Sequence, residues 1–143
     1  NFGEPVSAKQ FCETHSVDFS ALDKDNRFLR VESLAKEIMQ NISQVVPVVP
    51  VALMCDVLLK NRSEWKSELE LKAQCSERIA QLEKAGAPLD ISSSALESVL
   101  ASALEAINGR GLVEEKDNLY QVKESEIKIV NYYANSIMHW KLM

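Results

Sequence analysis

Hydrophobic positions along the chain recur mostly at steps of three and four, the spacing of one helical face, and only two short runs alternate as strands do. From Asn26 the positions Phe28, Val31, Leu34, Ala35, Ile38, Met39 and Ile42 mark one face of a helix, and Asp23 or Asp25 is placed to cap its start. Upstream, residues 1–7 read as a short extended piece punctuated by Gly3-Glu4-Pro5, followed by a short helix over Ala8–Thr14 and a polar loop over 16–25. The run from Val45 to Cys55 carries no charge. Pro47 and Pro50 suit the first turn of a helix, so this run reads as a buried helix continuing to Leu59 and ending near Asn61-Arg62.

Ser67-Glu68-Leu69-Glu70 has the form of a capping box, and the helix it opens is expected to bury Leu69, Ala73, Ser76, Ile79, Ala80 and Leu82. Gly86 then stands where a left-handed cap is wanted, with Pro88 beyond it. Ser94-Ala95-Leu96-Glu97 repeats the capping form before a helix carrying Leu96, Val99, Leu100, Ala103, Leu104 and Ile107, which stops at Asn108-Gly109. Two β-capable runs, 111–115 and 118–122, predict a hairpin whose turn lacks glycine. A last helix over 124–140 uses Ile127, Val130, Tyr133 or Ala134, Ile137 and Met138. The expectation is a mainly α protein: a helical bundle with a short β-hairpin, a winged-helix-like element within 67–122, and an N-terminal extended stub.

Composition narrows the classes further. The 143 residues are 46% hydrophobic and 26% charged, enough apolar side chain for a core and too much for disorder. Three cysteines, an odd number, argue against a disulfide scaffold and for reduced thiols. The net charge of −5 gives the whole chain no footprint for nucleic-acid phosphates, and the candidate recognition helix carries only Glu97 and Glu105 as charges, so no nucleic-acid partner is expected. The apolar run over 45–55 is shorter than the roughly 20 residues a spanning helix needs. The chain opens on Asn1 and shows no signal-peptide pattern, which points to a piece of something longer.

Candidate chemistry is sparse. Cys12, Cys55 and Cys75 are far apart, and His15 and His139 fall at opposite ends, so neither a metal site nor a cofactor site is expected. Cys12 and His15 stand three apart and share a helix face, yet nothing nearby offers an orienting group or an oxyanion donor. Asn108-Gly109-Arg110-Gly111 follows a helix instead of opening one, so it reads as a cap and turn and not a phosphate loop. Carboxylates between Glu64 and Glu83 alternate with Lys66, Lys72, Arg78 and Lys84 as a solvated face, as in the pair Glu68 with Lys72.

Three stretches taken in order resemble the glycerol-3-phosphate and dihydroxyacetone-phosphate acyltransferase family, in the part that follows its catalytic domain. Asn1-Phe2-Gly3-Glu4-Pro5-Val6-Ser7, with Phe11 after it, resembles the last strand leaving that domain. Pro47-Val48-Val49-Pro50-Val51-Ala52-Leu53, followed by Leu58-Leu59, resembles the family's proline-marked helix. The tail from Val130 to Trp140, with Tyr132-Tyr133, Asn135, Ile137 and His139, is similar to its tyrosine-pair helix. Val46 departs from the threonine frequent in the family, and Met143 falls where the family commonly continues.

The resemblance implies a membrane-associated enzyme, on the cytoplasmic side, that moves an acyl group from acyl-CoA or acyl carrier protein to the 1-hydroxyl of glycerol 3-phosphate in phospholipid synthesis. The family's His-x4-Asp pair is missing here, since His15 meets Ser20 at that spacing and His139 lies four residues from the end. No catalytic or substrate-binding residue is therefore carried onto this chain. The resemblance implies residues 1–25 as the trailing stub of an upstream acyltransferase domain, and 26–143 as a helical accessory domain with its hairpin near 111–123. Val48, Val49, Leu53, Tyr132, Tyr133 and Trp140 are the candidates for contact with that domain or a membrane surface, each with core packing as its alternative. A stand-alone winged-helix-like protein-interaction module is the competing reading.

Overall fold

A computed structural model describes residues 2–141. The chain forms two compact units, Asn1–Val46 and Pro47–Met143. In the first, an extended segment leads to helix α1 (Ala8–Thr14), whose N-cap Ser7 accepts a hydrogen bond from the Gln10 N–H, and then to the long helix α2 (Lys24–Val45). Asp23 caps α2 by accepting from the Asn26 N–H at 2.8 Å, and this holds its carboxyl below the ordinary aspartate value. Both helices follow the sequence expectation, including the bounds of α1. The apolar face expected of α2 is present but uncovered: none of its residues is buried, and Phe28 is 73% and Ile38 40% exposed.

The second unit is built around helix α3 (Pro50–Leu59), which starts on Pro50 and buries every residue from Ala52 to Leu58. A helix apolar on all sides belongs at the centre, and α3 packs against three other helices: α4 (Glu68–Lys84), α5 (Leu96–Gly109) and α6 (Ile127–Asn135). Strands β1 (Lys66–Ser67), β2 (Val113–Lys116) and β3 (Leu119–Val122) form an antiparallel sheet in the order β1-β3-β2. Helix, strand, helix, helix, then a hairpin folded back on the first strand is winged-helix wiring, and the module starts at α3, earlier than the sequence suggested.

Local chemistry explains the joints. The capping box at the start of α4 is complete: Ser67 Oγ accepts from the Glu70 N–H at 3.2 Å and Glu70 accepts from the Ser67 N–H at 2.7 Å. Both α4 and α5 end in the same device, with a glycine at positive φ after the cap (Gly86, +79°; Gly111, +70°) and the next N–H returning to a carbonyl of the last turn, Ala87 to Leu82 and Leu112 to Ile107. The hairpin turn is Asp117-Asn118, both at positive φ, which suits the two-residue primed turn that strand twist favours.

Three expectations need correction. Ser94 makes no capping box, because Ser93–Ala95 form a 3₁₀ turn and α5 begins only at Leu96. The buried residues of α4 are Leu71, Cys75 and Leu82; of the stripe predicted only Leu82 is buried, and Leu69 is 76% exposed. The predicted last helix is broken into a 3₁₀ turn (Glu124–Glu126), α6, and a further 3₁₀ segment, Met138–Lys141, with Met138 exposed.

Candidate functional site

The six contact candidates separate by burial. Val48 and Leu53 are fully enclosed in the core of the second unit, and Trp140 is buried with them. Val48 enters through its backbone as well, its N–H donating to the Pro88 carbonyl at 2.9 Å beside a bridge to Leu89. Tyr133 is half-buried: its hydroxyl accepts from Arg110 Nη1 at 2.6 Å, and the guanidinium stands 5.6 Å from the ring centre. Arg110, in the turn after α5, is thus engaged by Tyr133. Val49 and Tyr132 alone of the six are exposed.

The Cys12–His15 spacing does not become a thiol–imidazole pair. His15 Nδ1 is hydrogen-bonded with the Phe11 carbonyl at 3.0 Å, and its ring lies 4.3 Å from that of Phe11. Cys55 and Cys75 are both enclosed in the core, where burial pushes each thiol up to about 12. Thiols so shifted stay protonated at neutral pH and are poor nucleophiles. Among the described residues no group of Cys, His, Asp and Glu side chains converges to hold a metal ion.

A cleft of about 790 Å³ lies within the second unit, between α3, α4 and the end of α6. Its walls include Lys60, Arg78 and Lys84 against Asp56 and Glu77, so its charge is nearly balanced and it focuses no strong field. Asp56 and Arg78 are tied to one another, Nε donating to Oδ2 at 3.0 Å, with side chains only 6% and 15% exposed. The pair fastens α3 to α4, and the cleft presents neither a nucleophile nor an acid–base couple poised for transfer.

Lys66, which the charge pattern places on a solvated face, is buried instead, at 4% exposed. Its ammonium donates to the Val57 carbonyl at 3.0 Å and to the Lys60 carbonyl, closing the C-terminal end of α3 where a cation is favoured. Burial holds its pKa below the ordinary lysine value. The available signal was the lysine seven residues past a helix whose last turn has no capping glycine.

The exposed features are therefore surfaces. One is the α2 stripe, and no helix among the described residues is long and apolar enough to cross a membrane. The second unit is thus a helical module of winged-helix wiring, with α3 tied to α4 by Asp56 and Arg78 and with Cys55 and Cys75 enclosed in its core.

Comparison with known proteins gives the chain a family. The family described as "Glycerol-3-phosphate acyltransferase C-terminal region" matches residues 1–142, and the chain belongs to it. Curated relatives named glycerol-3-phosphate acyltransferase are 26% identical in Haemophilus ducreyi, 29% in Alteromonas mediterranea and 24% in Pseudomonas aeruginosa, each over 97% of this chain. The chain spans 18% of the length of each of these relatives. No solved structure matches it.

Proposed function

We propose that this chain is the C-terminal accessory segment of a glycerol-3-phosphate acyltransferase, in which acyl transfer from acyl-CoA or acyl carrier protein to glycerol 3-phosphate is performed by residues outside these 143. The observation that carries the reading is the family match along the whole chain, joined to a structure without a convergent catalytic set among the described residues. Residues 1–25 are the trailing stub of the upstream acyltransferase domain and 26–143 its helical accessory part. The segment acts by packing: it stabilises the flank of the catalytic domain in an enzyme that works at the cytoplasmic surface of a membrane, with Val49 and Tyr132 available for contact. Deleting residues 26–143 from the longer enzyme is expected to lower both its thermal midpoint and its acyl transfer. Unchanged stability and activity in the deletion would reject the proposal.

The winged-helix wiring also favours a second reading, a stand-alone interaction module. Its recognition helix is poorly suited to DNA, because the exposed positions of α5 are Glu97, Ser98, Ser102, Glu105, Ala106 and Gly109, with no cation among them. Salt-sensitive binding to mixed duplex DNA would favour this reading.

A further inference from the structure

The apolar stripe on α2 has a shape that identifies what covers it. At about 100° per residue, Phe28, Val31, Leu34, Ala35, Ile38, Met39, Ile42 and Val45 fall within an arc about 140° wide. A coiled-coil seam uses only two positions in seven, about a quarter of the helix surface, so a second copy of α2 would leave much of this stripe in water. The polar side carries Lys24, Arg27, Arg30 and Lys36 among Asp25, Glu32 and Glu37, a mixture of signs unlike the cationic face of a helix lying on anionic lipid. A stripe this broad fits the surface of a globular domain.

The backbone gives the direction. The segment of residues 3–6 lies along the C-terminal half of the stripe: Gly3, Glu4 and Val6 share a shallow groove with Ile38, Asn41 and Ile42, and Asn41 Nδ2 donates to the Glu4 carbonyl at 3.5 Å. The fit is close at Gly3, where a Cβ would stand 3.0 Å from the Asn41 carbonyl oxygen. The incoming chain is thereby held at the edge of the stripe, so the domain that residues 1–7 leave is delivered beside α2. Within Asn1–Val46 the only buried residue described is Phe11, far too little apolar burial to hold a 22-residue helix in place.

Resting on the proposal that the chain is part of a longer acyltransferase, we infer that the α2 stripe is a docking surface for the upstream domain of the same polypeptide. The extended segment 2–7 leads out of that domain and α2 folds back onto it, clamping the accessory segment to its flank.

The test is hydrogen exchange of the α2 amides in the longer enzyme and in this 143-residue chain alone. The docked helix is expected to exchange at least about tenfold more slowly in the longer enzyme, and Ile38→Glu to abolish that difference while leaving the Pro47–Met143 unit unchanged. Equal exchange in both proteins would overturn the inference. So would protection in the isolated chain that grows with its concentration, which would name a second copy, or protection that needs added phosphatidylglycerol vesicles, which would name lipid. Acyl transfer by the unmodified longer enzyme is measured in parallel: its absence rejects the functional proposal, whereas a missing exchange difference in an active enzyme rejects only the docking surface.

Discussion

Asp56→Ala removes one side of the ion pair that fastens α3 to α4. Arg78 would keep its bond from Nη1 to Gln81 at 3.2 Å but lose the carboxylate at Nε, in a side chain only 15% exposed and with Nη2 already buried without a partner. Removing one member of a buried pair costs about 3–5 kcal/mol, because the remaining charge is left uncompensated. The neighbouring cleft admits water to part of the guanidinium, so the low end of that range, about 3 kcal/mol, is the expected loss. For a domain of this size it corresponds to roughly a 12–24 °C drop in thermal midpoint. Urea unfolding followed by tryptophan fluorescence reads the right unit, since Trp65 and Trp140 both lie within Pro47–Met143. Arg78→Met should also destabilise, and Asp56→Leu with Arg78→Met together should recover to within about 1 kcal/mol of the parent, as apolar replacements of buried pairs do. Single losses below about 1 kcal/mol that simply add would show a surface-grade pair and refute the reasoning.

Other outcomes follow from the same geometry. Leu71→Ala should cost about 2–5 kcal/mol in urea unfolding and Leu69→Ala less than about 0.5 kcal/mol, the reverse of what the sequence pattern suggests. Asn118→Gly, at a turn position with φ of +61°, should raise the thermal midpoint of the second unit, by about 0.5 kcal/mol in free energy, because glycine adopts that conformation without strain. Stability should also fall at high pH. The unfolded thiols of Cys55 and Cys75 ionise above 9.0 while the folded ones hold their protons to about 12, so each removes up to about 1.4 kcal/mol per pH unit between those values. Lys66 has the opposite sign, adding stability as pH rises toward 10.5, so the thiol contribution is read as the difference in slope between the parent and Cys55→Ala/Cys75→Ala. Identical slopes would contradict the burial of both thiols.

Much of the fold was legible because the signals were local. Ser67 with Glu70, Asp23 before α2, Gly86 after α4 and the paired runs of the hairpin each act within a few residues, and the structure realises all of them. The face of α4 was misread because its buried stripe includes Arg78 between Cys75 and Leu82, and a charged residue in the stripe signals solvent until its partner on α3 is known. Strand β1 was missed because two residues carry no periodicity, and their pairing with Leu119 and Tyr120 lies more than fifty positions away. The contact candidates were chosen for apolar or aromatic character, which does not distinguish core from surface. Val48, Leu53 and Trp140 are inside, while the apolar face on α2, of the same periodic character, is open.

Acyl transfer from radiolabelled acyl-CoA to glycerol 3-phosphate, measured with this chain alone and with a polypeptide extended upstream to the length of its relatives, tests the central claim most directly. The account predicts transfer by the extended polypeptide and none by the 143-residue chain. Transfer by the short chain, or by neither, would contradict it.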